Sequence, residues 1–282
     1  MKVGAMIFAT DETIKMQRLG PELEDRNFES LWIPEKTHLP TSRKTDWPGG
    51  DLPEWYKRTS DPLIALSIAA GATTRLRLGT GVSLVPIHDA VILAKAVATL
   101  DWSTSGRFDF GIGYGWNAEE FETHGVDLKD ARAIMREKMS LMYELWNNDV
   151  GTYKGEFAQV EPSWSWPKPD QRPRPPVYIG GRASRSTFKD IADYCDGWLP
   201  IEGWGDIVEQ IPKLHRAFEE AGRSREEARI SIYSSMGDPE LLEKYAEAGV
   251  ERVILTLPPV EESDVLRALD QYSSTLSEFF GE

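Results

Sequence analysis

Short apolar runs of strand length alternate with longer segments of helical period along all 282 residues, and no other feature constrains the fold as strongly. The strand-like runs are Lys2–Phe8, Ser30–Ile33, "RLRLGTGVSLV", "GRFDFGIGYG", "PVYIGG", "GWLPI", "ARISIYSS" and "ERVILTL". The helical segments that follow them are Ile14–Asn27, a stretch opened by Ser60 or Asp61 with Pro62 in its first turn, "HDAVILAKAVATLDWST", Asp130–Trp146, Ser184–Tyr194, Asp206–Ala221, Pro239–Ala248 and Glu261–Phe279. Strand-then-helix repetition gives a parallel sheet with right-handed crossovers, and eight such pairs favour closure into a barrel over an open sheet. The expected architecture is α/β, a single (β/α)8 TIM barrel domain over residues 1–282. One insertion breaks the rhythm: in "GTYKGEFAQVEPSWSWPKPDQRPRP" a turn at Gly155 between two alternating runs predicts a small hairpin between the fourth helix and the fifth strand. No GxGxxG opens a helix in the first half, so the dinucleotide-binding fingerprint is missing.

Charge removes several function classes. With 46 acidic against 32 basic residues the net charge is −14, the wrong sign for tracking nucleic acid or an anionic membrane, although a local pocket can still be positive. No apolar stretch approaches the ~18–20 residues that span a bilayer, and "MKVGAMIFAT" reads as a first strand, so a cytoplasmic location is expected. Cys195, the only cysteine, lies among apolar neighbours and reads as a small buried hydrophobe, not a nucleophile. His88, His124 and His215 lack metal-ligand spacing and read as surface or capping residues, so no metal is expected. Glu119 and Glu120 sit at a helix start, where the helix dipole accounts for them.

In such a barrel the loops leaving the C-terminal ends of the strands build the active site. Three clusters there carry chemistry. "PEKTHLP" places Glu35, Lys36 and His38 just past the second strand: the imidazole can shuttle a proton and the ammonium can stabilise developing negative charge, unless the loop is simply solvated. The glycines of "LGTGV" and "FGIGYGWN" allow a flat ring to approach the main chain, with Tyr114 and Trp116 as aromatic walls; alternatively they fit a crowded interior. "YIGGRASRS" runs Gly180, Gly181, Arg182, Ala183 and Ser184 into a helix N-terminus, which is either a phosphate site by its own electrostatics or a plain capped turn. The aromatic stretches Trp47–Tyr56 and Trp164–Trp166 either cover a hydrophobic substrate or pack loops.

At these clusters the chain resembles the luciferase-like monooxygenase superfamily, in particular its coenzyme F420-dependent oxidoreductase branch. The likeness runs through "SLWIPEKTHLPTS", "LRLGTGVSLVPIHDAVILAKAVATLDWSTSGRFDFGIGYGWNAEEFETHGVD", "WPKPDQRPRPPVYIGGRASRS" and "DYCDGWLP". It implies a bacterial-luciferase-like barrel with a flavin or deazaflavin ring across the strand ends. It further implies a non-proline cis peptide at Gly81–Val82, ring contacts from the backbone of Tyr114, Gly115 and Trp116, and a phosphate arm on Gly180 to Ser184. With the residues above, the expected activity is hydride transfer between F420, or FMN, and an organic substrate, with His38 as proton donor or acceptor, Lys36 electrostatic and Glu35 touching the cofactor. An FMNH2-dependent monooxygenase served by a separate flavin or F420 reductase, and a non-catalytic flavin-binding protein, are the alternatives; family members are frequently homodimers. Two departures stand out. Glu35-Lys36 replaces the frequent Asp-His pair, and Trp116 occupies the position of the carboxylate that acts in the sugar-phosphate dehydrogenases.

Overall fold

The computed structural model describes residues 1–280, with side chains to 276. Strand β1 (Lys2–Met6) leads through α1 (Met16–Asp25) to β2 (Ser30–Ile33), and α2 (Pro62–Gly71) leads to β3 (Arg77–Thr80). Helix α3 (Ala90–Ser103) precedes β4 (Phe108–Gly113), which is followed by a short α4 (Ala118–Thr123) and a long α5 (Ala131–Asn147). Strands β5 (Gly151–Lys154) and β6 (Gln159–Ser163) form the separate antiparallel hairpin expected around Gly155. The alternation then resumes with β7 (Val177–Gly180), α6 (Arg185–Tyr194), β8 (Gly197–Leu199), α7 (Ile207–Glu220), β9 (Arg229–Ser235), α8 (Pro239–Glu247), β10 (Arg252–Thr256) and α9 (Glu262–Phe280). Eight strands close a parallel barrel in the order β1-β10-β9-β8-β7-β4-β3-β2.

Local sequence explains where the helices begin. Asp61, Asp89, Asn117, Ser184, Asp206 and Asp238 each turn a side-chain oxygen onto backbone N–H groups of the first turn, and Pro62 and Pro239 stand where a missing N–H costs nothing. The outward faces of the strands and the inward faces of the helices make one continuous apolar layer, which includes Leu19, Leu66, Val97, Met139, Ile191 and Leu214. Cys195 ends α6 inside that layer, and burial pushes its thiol well above the usual range, as a structural role requires. The third strand is shorter than "RLRLGTGVSLV" suggests: pairing stops at Thr80, and Ser83 rejoins the sheet only by an isolated bridge to Ile112. Among the described residues no helix is long and apolar enough to cross a membrane.

Candidate active site

Inward-facing Met6, Trp32, Tyr178, Leu199, Tyr233 and Ile254 fill the barrel, and Phe8, Val82 and Ile201 lie partly exposed on top of them at the C-terminal end. An added Cβ on Gly113 or Gly180 would stand 2.5 Å from a Val82 methyl, and one on Gly81 would stand 2.3 Å from the Tyr233 ring. The space over these glycines is therefore taken by the chain's own side chains. Of the two readings the sequence left open, the crowded interior holds at these three glycines, where Val82 and Tyr233 build an apolar floor. The Gly81–Val82 peptide is cis, as the resemblance implied. Phe8 is covered from above by Tyr56, ring centroids 4.7 Å apart, with Trp47 packed on Tyr56 at 5.4 Å. Burial raises the Tyr56 hydroxyl to about 12 against the opposing hydrogen bond from Trp47. Trp164–Trp166 is tied to the outer helices: the Trp166 carbonyl accepts from Lys95 on α3 and Lys168 holds the end of α5, while the Trp164 and Trp166 rings stay largely exposed.

The loop after β2 splits into three roles. Glu35 is buried and its carboxylate is engaged inside the chain, accepting from His88 Nε2 at 2.6 Å, Leu84 N–H at 2.5 Å and the Ser83 hydroxyl at 3.0 Å. Burial alone would raise the Glu35 carboxyl; the hydrogen bond and charge of His88, with the two other donors, outweigh it and hold the group below its ordinary value. His88 is the mirror case, lowered by burial but raised on balance by Glu35. Lys36 is 7% exposed, donates to Glu120 Oε2 at 2.5 Å and stands 4.7 Å above the Trp116 ring. His38 Nδ1 shares the Thr37 hydroxyl (3.0 Å) with His124 Nε2 (2.9 Å), and the two imidazoles meet edge to face at 5.5 Å. A single hydroxyl proton can serve only one of these nitrogens, so the other ring must donate. Burial and then the neighbouring His38 depress His124, which favours its neutral form.

At the end of β4 the Tyr114 hydroxyl donates to Asp190 of α6 at 2.7 Å and Arg132 lies 4.5 Å over the ring, so this aromatic is clamped between strand and helices. Gly115 takes φ +80°, a turn that throws Trp116 across towards Lys36. At the end of β7 the Ser184 hydroxyl caps α6 by accepting from Thr187 N–H at 3.0 Å, and Arg182 stacks over Trp204 at 4.8 Å. Gly181, Arg182, Ile201 and Trp204 line a cavity of about 250 Å³ beside the mouth.

Sequence reading missed Glu120, His88, His124 and Tyr233. Glu120 and Tyr233 are buried, His88 is half-buried and His124 is exposed; they come from α4, β9 and the segments after β3 and α4, and nothing in linear spacing joins residue 36 to residue 120 or 35 to 88. A helix dipole does not explain a fully buried Glu120, nor a surface position a His88 hydrogen-bonded to a buried carboxylate. Among the described residues five buried side-chain polar atoms have no partner, and four of them stand at the C-terminal strand ends: His38 Nε2, Glu120 Oε1, Glu202 Oε1 and the Tyr233 hydroxyl. Buried polar atoms are nearly always paired, so their concentration around one apolar floor fits a site shaped for a planar heterocycle with polar edges.

A family model described as luciferase-like monooxygenase matches residues 7–247. The chain belongs to the luciferase-like monooxygenase family. Members of this family are F420- or FMN-dependent oxidoreductases and monooxygenases. An uncharacterised protein of Mycobacterium tuberculosis is 35% identical over 98% of this chain and 99% of its own length. The oxygenase component of a flavin-dependent trigonelline monooxygenase from Acinetobacter baylyi is 27% identical over 76% of this chain and 58% of its own. An F420-dependent glucose-6-phosphate dehydrogenase of Kineococcus radiotolerans is 28% identical over 74% of this chain and 60% of its own. The solved structure of an F420-dependent secondary alcohol dehydrogenase superposes with a TM-score of 0.78 over 99% of both chains at 18% identity, a likeness of fold. The luciferase-like family thus contains both flavin and deazaflavin enzymes, and its barrel places the partnerless atoms where the strands end.

Proposed function

We propose that this luciferase-like chain, acting as one barrel domain, is an F420-dependent oxidoreductase that moves a hydride between the deazaflavin and an organic substrate. The observation that supports the reading is the set of partnerless atoms of His38, Glu120, Glu202 and Tyr233 around a floor of Phe8, Val82 and Ile201. Apolar faces and polar edges are what a deazaflavin ring offers to such a site, and when bound it supplies the hydride chemistry itself.

The chain's own residues bind, orient and move protons. Val82, next to Gly81, and the backbone of Tyr114, Gly115 and Trp116 would line the ring, while Gly180, Gly181, Arg182, Ala183 and Ser184 would hold its phosphate arm at the start of α6. Lys36, fixed by Glu120 and by the face of Trp116, contributes a positive charge that needs no reorganisation. His38 has Nδ1 tied to Thr37 and Nε2 unpartnered, so it can take or give a proton at Nε2 while Thr37 and His124 hold the ring. Glu35, expected from sequence to touch the cofactor, acts in this reading as a brace that ties the β2 loop to Ser83, Leu84 and His88.

A second reading, FMNH2-dependent monooxygenation with a separate reductase, draws on the aromatic cover of Tyr56 and Trp47 over Phe8, which would keep water from a reduced ring. Anaerobic titration of the purified protein with F420 and FMN, oxidised and reduced, separates the two. Tight F420 with weak FMN binding is expected; preferential binding of reduced FMN would overturn the deazaflavin reading.

A further inference from the structure

The cavity at the β7 turn does not end there. Ile201 lines it and also packs on the mouth floor, and Ala183 and Gln210 are shared with a second, larger cavity of about 680 Å³ between α6 and α7. The larger cavity has an apolar bed at Phe188 and Ala217 and four basic side chains along its upper rim, Arg185 and Lys189 from α6 and Lys213 and Arg216 from α7. Among the described residues Arg185, Lys213 and Arg216 have no ion-pair partner; Lys213 reaches Gln210 at 2.8 Å and Lys189 pairs with Asp193 at 2.9 Å. Its acidic residues, Asp193 and Glu220, lie at the far end, a full helical turn or more beyond the basic ones.

Three cations without an ion pair in one groove stand against a net charge of −14, so the groove is a local attractor for anions on a chain whose overall charge is of the opposite sign. The order along the path is also specific. An apolar floor is followed by a small cavity at a helix N-terminus with an arginine, and then by a basic channel. This is the order of a planar ring, a phosphate and a polyanionic tail.

We propose that the α6–α7 groove binds the oligo-γ-glutamyl tail of the deazaflavin, so that the tail as well as the ring is recognised. The inference rests on the F420 reading above. FMN ends at its phosphate and would leave the groove unused, so the groove would act as a selector between the two cofactors. The basic rim from Arg185 to Lys189 covers about 6 Å at ~1.5 Å per residue, room for one or two carboxylates before the acidic end is reached. Affinity should therefore rise over the first one or two glutamyl units and then level off.

The test compares F420 carrying several γ-glutamyl residues with its tail-free phospholactyl form, by fluorescence quenching on the intact protein. The tailed form should bind roughly three- to tenfold tighter at low salt, the scale of a few exposed charge contacts, and the advantage should vanish at ~0.5 M salt. In the double variant Lys213→Glu/Arg216→Glu, both positions exposed, the advantage should disappear while affinity for the tail-free form is unchanged. Equal binding of tailed and tail-free forms to the wild-type protein would overturn the groove and leave the F420 reading standing. Binding of neither would overturn the cofactor reading and the groove with it.

Discussion

The two ends of the barrel carry buried charges, and they treat them in opposite ways. At the N-terminal end Arg252 donates twice to Glu29 at 2.7 Å and once to Ser231 at 3.2 Å, and it lies 3.4 Å from Asp109. Arg77 grips the same Asp109 with two bonds of 3.0 and 2.6 Å. Burial would raise the Asp109 carboxyl, but Arg252 and Arg77 outweigh it and hold it low; Arg252 is correspondingly driven well up. At the C-terminal end Lys36 meets Glu120 one to one, the second Glu120 oxygen is bare, and His38, Glu202 and Tyr233 each keep a buried atom without a partner. The same scaffold thus completes its polar network at one end and leaves it incomplete at the other, where the proposed cofactor would bind.

The largest expected effect is at the completed end. Asp109→Ala takes from buried Arg252 and partly buried Arg77 the carboxylate they share, and loss of one member of such a network costs about 3–5 kcal/mol. Urea unfolding should show that loss while the folded fraction keeps its cofactor affinity; a stable variant that had lost cofactor binding would break the division between the ends. Next comes His38→Ala, which should lower turnover about 100-fold with little change in cofactor affinity, the ordinary worth of a placed acid–base group. Unchanged turnover would remove His38 from the chemistry. The third change sharpens the contrast directly. Lys36→Met with Glu120→Leu removes a buried pair together, so stability should be unchanged or higher. Turnover should fall roughly ten- to a hundredfold, less than for a lone catalytic donor because the Lys36 field is partly cancelled by Glu120. A variant that unfolds instead would show that this pair is structural, like Asp109 and its partners.

The same contrast explains what could be read beforehand. The barrel was legible because period, caps and strand runs are local: Asp61 before Pro62, Ser184 before α6 and the Gly155 turn each announce an element from a few residues. Family likeness named the Gly81–Val82 cis bond. The partners were not legible. Glu120 meets Lys36 across 84 positions and His88 meets Glu35 across 53, contacts that exist only once β2, β3 and β4 lie side by side. The glycine-rich strand ends stayed undecided for a related reason: sequence reveals the space a missing Cβ leaves but not that Val82 and Tyr233 fill it.

Smallest, and most diagnostic of how the upper end is braced, is the pH dependence of the Glu35–His88 pair. Glu35 is lowered from 4.5, so its contribution is present above that value and is lost as pH falls through the lower folded one. His88 is raised from 6.5, so its contribution is complete below that value and is lost as pH rises through the higher folded one. Both are fully present between about 4.5 and 6.5. The stability difference between wild type and Glu35→Gln should therefore be widest in that interval, about 1–2 kcal/mol for hydrogen bonds to a charged group, and should narrow on either side. Urea midpoints of both proteins from pH 4 to pH 9 measure it. A difference that narrows at low pH but stays flat above about 6.5 would mean the brace works through Leu84 N–H and the Ser83 hydroxyl alone. His88 would then be a passive neighbour, and the upper end would hold its loop without the paired charges that secure the lower one.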